Sequence, residues 1–479
     1  MDKETLALVL ALLPQVPLIL RVCLLHVLRL SESAKYLDLR SAVTVSVIRS
    51  LIAPSRPATI SETQRLTLRD PGIKGRIWVS KYTAPRPPET GVRDVLLAAI
   101  AGMRPPADPS LATRRPDIVP VEAEWTGYRA AANARSTLPP ISEREKYAEL
   151  MKECKSPVTV LFFHGGAYYL LDPSSHRPTT KKLAKLTGGR CYSVRYRLAP
   201  QNPFPSALQD ALLSYLTLLY PAPDAFHEPV DPKHVVFAGD SAGGNLSMAL
   251  LQTILEIRRQ NAKVMWFGQE REVPLPGCAA LSSPWVDMTL SSESWQRNAE
   301  FDYLPASAAQ RLEAVPPCEV WPAKPPRMSY YADDAFLDHP LVTIALAADW
   351  RGAPPVYMSV GWELLADEQK FLASKLHASG VKVVFEEYEA MPHCFAMILS
   401  RLAEARRCFD GWTGFIRSAI EDPSGVESRG VTIKAKSLEE VELDLGSLCD
   451  LSDEDVKEQV QAQIASHLLA SKALPPPKL

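Results

Sequence analysis

The sequence predicts an α/β protein with a mainly parallel central sheet flanked by helices. Three observations carry that expectation. From Val158 onward, short apolar runs alternate with helical stretches, the pattern of a parallel sheet whose strands are buried on both faces. A Gly-x-Ser-x-Gly pentapeptide, Gly239–Gly243, falls directly between one such run and the helix that follows it. Hydrophobic residues make up 46% of the 479-residue chain, enough to fill the core of one elaborated α/β domain with insertions.

In chain order, residues 1–55 read as N-terminal apolar helices. The run Thr5–Leu20 is broken by Pro14, Gln15 and Pro17, ends at Arg21 and resumes from Val22 to Leu28. It is shorter than the ~20 apolar residues of a spanning helix. Three readings stand: helices that cap a site, a membrane anchor or interfacial helix, and a cleaved signal. The last lacks a small-residue cleavage site. The basic residues Arg21, Arg29, Lys35 and Arg40 follow the run, which by the positive-inside tendency sets the body on a cytosolic face. The expected location is thus cytoplasmic or on the endoplasmic-reticulum membrane.

Residues 56–424 read as the main domain. Gln64–Leu68 and Gly75–Tyr82 alternate apolar and polar side chains and are expected as strands, with Val119–Tyr128 as a further edge strand. The Pro-rich stretch between them (Pro85, Pro87, Pro88, Pro105, Pro106, Pro109) holds a short helix candidate, Leu96–Met103. The buried strands expected next are Val158–Phe163, Cys191–Tyr196, Val235–Ala238, Cys278–Ser282, Val356–Val360 and Val381–Tyr388. The helices expected among them are Thr179–Leu186, Ala207–Leu219, Gly243–Arg259 and Glu368–Ser379. Residues 286–350, rich in Trp, Tyr and Pro, interrupt the alternation as an insertion placed to roof the strand ends. Residues 425–479 read as an acidic extension. In it Ser452 caps a helix with Asp455 in capping-box position and a stripe Val456, Val460, Ile464, Leu468. The terminal Pro477-Lys478-Leu479 departs from the peroxisomal Ser-Lys-Leu signal at its first residue.

A net charge of -2 gives no whole-protein attraction to nucleic acid or anionic membrane. The eight cysteines are scattered without the CxxC spacing of a metal or redox site, and the fold needs no disulfide. The acceptor Asn245-Leu246-Ser247 falls inside a helix, which argues against glycosylation.

The chemistry centres on Ser241. A strand-to-helix turn this tight presents its Oγ at a helix N-terminus, where developing negative charge is favoured, and Gly239 and Gly243 let strand and helix pass closely. Leu161–Ala167, with His164-Gly165-Gly166, ends an earlier strand as an oxyanion-hole loop should. The amides of Gly165, Gly166 and Ala242 are the expected donors, and one such donor is worth about 3–4 kcal/mol of barrier. A serine needs a base and the base an orienting acid. Of the nine histidines, His393 sits just after the last strand, whereas His377 lies in a helix pattern and His467 in the tail. Glu363, at the carboxyl end of its strand, is the expected acid, with Asp367 as the alternative.

Taken together, His164-Gly165-Gly166, Gly239–Gly244, Tyr196–Pro200, Ser283-Pro284-Trp285 and Met391-Pro392-His393 resemble the hormone-sensitive-lipase family of α/β-hydrolases. That family includes bacterial esterases, arylacetamide deacetylases and fungal steryl acetyl hydrolases, the last most similar in layout. The resemblance covers about residues 155–420. It implies an α/β-hydrolase fold with a helical cap, a triad containing Ser241 and His393, an oxyanion hole of Gly165, Gly166 and Ala242, and no cofactor or metal. Where the family has Asp in Asp-Pro-Leu-x-Asp-Glu, this chain has Glu363. Cys394 stands where Gly is common.

The expected function is a serine carboxylic-ester hydrolase acting through an acyl-enzyme on a small-acyl ester of a hydrophobic alcohol, such as an acetylated sterol. Two alternatives are a biosynthetic hydrolase or dehydratase of a polyketide- or terpenoid-type intermediate, and a non-catalytic small-molecule-binding member of the fold. The expected partner is a small hydrophobic ester, with no nucleic acid. Oligomeric state is unreadable.

Overall fold

The computed structural model describes residues 13–54, 57–104, 113–305 and 315–473. The start of the apolar N-terminal run, Pro105, Pro106 and Pro109, positions 306–314 of the insertion and the Pro475–Leu479 tail lie outside the described residues.

The strands are β1 (Ile77–Ala84), β2 (Val121–Tyr128), β3 (Thr159–Phe163), β4 (Arg190–Arg195), β5 (Val235–Asp240), β6 (Val264–Trp266), β7 (Gln269–Arg271), β8 (Cys278–Ser282), β9 (Val356–Gly361), β10 (Val383–Tyr388), β11 (Arg429–Ile433) and β12 (Glu440–Leu443). Ten of them form one sheet in the order β1-β2-β4-β3-β5-β8-β9-β10-β11-β12, and β6 and β7 form a separate two-stranded sheet. From β4 to β11 every neighbour is parallel, while β1, β2 and β12 attach antiparallel at the two ends.

Alternation along each strand supplies both faces of the sheet. In β3, Leu161 and Phe163 join the larger core with the helices Gly91–Gly102, Ser206–Leu219, Ala242–Arg259 and Ala366–Ala378. Val160 and Phe162 face the other way, onto Leu183 of helix Pro173–Thr187 and Phe409 and Trp412 of helix Ala403–Glu421. β3 sends the chain to one side, to β4, and β5 lies on its other side, so the crevice above their carboxyl ends is the switch point where such sheets bind ligands.

Three expectations are corrected. Gln64–Leu68 is not a strand: it belongs to helix Ile60–Thr67, which starts in a capping box of Thr59 and Glu62. Five residues of alternation could not register that cap, and Ile60 and Gln64, four apart, are the buried pair. Val121–Tyr128 is interior, between β1 and β4, and β1 is the edge. The boundary drawn at residue 425 cuts the sheet, because β11 pairs with β10 and carries β12 on its far side. Buried Val431 and Ile433 hold β11 in place. Arg429 pairs with Glu440 and Glu442, so the acidic run that read as an extension is half of an antiparallel ladder.

The N-terminal residues divide in two. Helix Val16–Val27 buries no residue, whereas helix Leu39–Ile52 buries Ser41, Ala42, Val45 and Val47. Val45 packs with Tyr303 and Leu399. Among the described residues no helix is long and apolar enough to cross a membrane.

Candidate active site

β5 ends at Asp240, and Ser241 is the N-cap of helix Ala242–Arg259 with φ 52° and ψ -120°. A left-handed φ on a serine is strain that the surroundings must hold in place. They do so through the Ser241 N–H, which donates to the Ser282 carbonyl at 3.1 Å, and the Ser241 carbonyl, which accepts from Trp285 N–H at 3.0 Å. The flanking glycines are required by contact rather than by φ. A Cβ on Gly243 would strike the Phe163 carbonyl, and one on Gly239 would lie 2.6 Å from that same oxygen.

The loop after β3 carries His164, Gly165 and Gly166 to the same end of the sheet. Gly166 has φ 104°, and a Cβ there would run into the Leu170 carbonyl. The Gly165 N–H donates to Asp240 Oδ1 at 3.1 Å, so the structure gives this amide an internal acceptor that the sequence did not foretell. His164 lies stacked on Tyr196 with ring centroids 4.3 Å apart, and burial together with nearby His176 lowers it to about 4. It is a neutral ring that shapes the loop. Asp240 also faces His176 Nε2 at 3.1 Å, which ties helix Pro173–Thr187 to the strand bearing Ser241.

After β9 and β10 come the two other expected residues. His393 Nδ1 lies 3.1 Å from Glu363 Oε1, both side chains being buried. Burial opposes the imidazolium, but the Glu363 carboxylate against Nδ1 favours it and holds His393 above its ordinary range. Asp367 points elsewhere, accepting from the Ser294 N–H at 3.0 Å and pairing with Arg297. Glu363 is therefore the carboxylate that the fold brings to His393. His377 stays within helix Ala366–Ala378, and His467 lies in helix Asp453–Ala473.

Sequence reasoning missed the shell that fixes Glu363. Ser283 Oγ donates to Glu363 Oε2 at 2.6 Å and accepts from the Cys394 N–H at 3.0 Å, so one hydroxyl joins the acid loop to the base loop. Gln369 Nε2 donates to the carboxylate oxygen that faces His393. Asp302 accepts from the His393 N–H. Ser283 stood in a motif already noted, but nothing in its spacing announced the bond. Asp302 lay in an insertion whose course no periodicity foretold. Cys394 takes φ 50°, a region that favours glycine, and burial pushes its thiol up to about 12. No cluster of three or more His, Cys, Asp or Glu suited to a metal occurs among the described residues, and the described cysteines are all free.

The chain is similar to several known proteins. A family model for the alpha/beta hydrolase fold matches residues 160–397. An acetyl-hydrolase of Streptomyces hygroscopicus is 30% identical over 262 residues, 54% of this chain and 76% of that protein. An esterase of Acinetobacter venetianus is 29% identical over 260 residues, 54% of this chain and 74% of its own length. Among solved structures, EstE5 soaked with p-nitrophenyl butyrate superposes with a TM-score of 0.53 at 22% identity, covering 80% of this chain and 99% of that one. An esterase of the bacterial hormone-sensitive lipase family gives 0.52 at 23%, with the same coverage. At these identities the structural likeness speaks for the fold.

Proposed function

The chain belongs to the α/β-hydrolases of the hormone-sensitive-lipase type and is a carboxylic ester hydrolase, and we propose that it works by a serine mechanism through an acyl-enzyme. The observation that carries this reading is the buried Glu363–His393 pair at the same end of the sheet as the strained Ser241. Ser241 Oγ attacks the ester carbonyl carbon while its proton passes to His393 Nε2. Glu363 on Nδ1 holds the ring in the tautomer that leaves Nε2 free to accept. The carbonyl oxygen becomes an oxyanion facing the Gly166 and Ala242 amides, Gly165 being held by Asp240 as a tether of the loop. Collapse breaks the ester C–O bond, and His393 returns the proton to the departing alcohol. Water then attacks the acyl-Ser241 bond with His393 again as base, releasing the acid and restoring Ser241. No step calls for a cofactor or metal.

The substrate class we propose is a small-acyl ester of a hydrophobic alcohol. The first support is the likeness to an acetyl-hydrolase. The second is helix Val16–Val27, where Leu20 and Leu24 are 65% and 60% exposed and the only charged residue is Arg21. At 1.5 Å per residue it is ~18 Å long, too short for a ~30 Å hydrocarbon core but suited to lying in a lipid interface. Arg21 and the following Arg29 fit an anionic surface.

Activity is tested on p-nitrophenyl acetate, butyrate, octanoate and palmitate. A kcat/KM falling from the short to the long acyl chains is expected; a preference for palmitate contradicts the small-acyl reading. Flotation with phosphatidylserine-containing vesicles tests the helix. The full chain is expected to float with them and the Leu20→Glu/Leu24→Glu variant to remain below; wild-type protein left at the bottom contradicts the interfacial reading.

A further inference from the structure

The carboxylate of Asp302 accepts hydrogen bonds from four backbone amides on three separate segments. Oδ1 takes the N–H of Tyr303 at 2.7 Å, of Leu304 at 3.2 Å and of His393 at 3.3 Å, and Oδ2 takes the N–H of Leu364 at 2.8 Å. Two of these donors belong to the proposed base and to the residue after the proposed acid. Asp302 is fully buried, and no charged side chain is bonded to its carboxylate among the described contacts. Burying a charge without a cation is costly, and amide donors are what make it bearable.

The segment carrying Asp302 is in turn gripped by the N-terminal arm. Arg49, on helix Leu39–Ile52, donates through Nε to the Asp302 carbonyl at 2.8 Å and through a terminal nitrogen to the Glu300 carbonyl at 2.8 Å. The Ser33 N–H donates to Glu300 Oε1 at 3.1 Å. Tyr36 lies edge-on to Phe301 at 5.9 Å and to Trp362 at 5.4 Å, the residues beside Asp302 and Glu363. The arm thus touches the residues that precede Asp302 and Glu363 in the chain.

We infer that Asp302 is a positioning residue that sets the Glu363–His393 geometry by fixing the backbone of both loops, and that the N-terminal arm, through Arg49, holds Asp302 in register. The inference rests on the serine-triad reading above. Catalysis is sensitive to displacements of this kind: a 1 Å error in a reacting group can cost ~10²-fold. An aspartate suits the position because an ionised carboxylate is acceptor-only, whereas an asparagine of nearly the same size must turn an NH₂ toward one set of donors.

The test compares Asp302→Asn, Asp302→Ala, Arg49→Ala and Arg49→Lys on a short p-nitrophenyl ester, with circular dichroism and thermal midpoint measured alongside. Asp302→Asn is expected to lower kcat by roughly 10–100-fold with KM within about 2-fold, and Arg49→Ala to lower kcat by roughly 3–10-fold with partial recovery in Arg49→Lys. As a control, Arg297→Ala removes a different contact of the insertion, to Asp367 on the helix that follows the acid's loop. It is expected to keep kcat within about 2-fold. If Asp302→Ala fails to fold, Asp302→Asn and Arg49→Ala carry the test. Wild-type kcat in folded Asp302→Asn and Arg49→Ala overturns the inference, as does a loss confined to KM. If the wild type has no turnover that Ser241→Ala abolishes, it is the triad reading that fails, which is a distinct outcome.

Discussion

Replacing Ser241 by Ala is expected to lower kcat on a short-chain ester by roughly 10⁴–10⁶-fold while leaving the fold intact. The size follows from what is removed. Without an Oγ no acyl-enzyme forms, and only the oxyanion amides and substrate binding remain to assist water. The fold is expected to persist because the strained turn is held by backbone bonds to Ser282 and Trp285 and by the close passage of Gly239 and Gly243, none of which involves the hydroxyl. Steady-state kinetics with a circular dichroism spectrum checks both halves. A variant that retains a tenth of wild-type turnover would remove Ser241 from the mechanism.

Glu363→Gln is expected to cost roughly 10⁴-fold in kcat, because a neutral amide in this place no longer enforces the His393 tautomer that accepts at Nε2. The pH profile gives an independent sign. His393 works as base when neutral, and its folded value is raised above the ordinary ~6.5. Wild-type kcat/KM should therefore climb with pH through a midpoint above that value. Loss of the Glu363 charge removes an attraction that favours the imidazolium, so the residual activity should climb at lower pH. Asp367→Asn, altering a carboxylate turned toward Ser294 and Arg297, is expected to stay within about 3-fold of wild type with its profile unmoved. The opposite ranking of the two variants would make Asp367 the acid.

Much of the site was legible because its requirements are local. Gly-x-Ser-x-Gly is a constraint on five consecutive residues, and the close approach of Gly243 to the Phe163 carbonyl shows why only glycine serves there. Glu363 and His393 were readable from their places after β9 and β10, since this fold carries its chemistry at the carboxyl ends of strands. What stayed hidden depends on contacts distant in sequence. Asp302 meets His393 across 91 positions and Ser283 meets Glu363 across 80, and neither leaves a local pattern. The commitment of the Gly165 amide to Asp240 was invisible for the same reason. The strand–helix alternation gave the parallel centre of the sheet, where both faces are buried and runs are uniformly apolar. It failed at the margins. Gln64–Leu68 alternated over too short a span to outweigh the Thr59–Glu62 cap, and β12 is an acidic edge strand that needed Arg429 opposite it to make sense.

The most direct test of the central claim is to trap the covalent intermediate on the wild-type chain. The protein is mixed with p-nitrophenyl acetate, quenched in acid within the first turnovers and digested, and the acylated peptide is sequenced by mass spectrometry, with a fluorophosphonate reaction in parallel. The expected result is one acetyl group and one phosphonyl group, both on Ser241. Turnover with the label on another residue, or with no covalent label under either reagent, would contradict the serine mechanism.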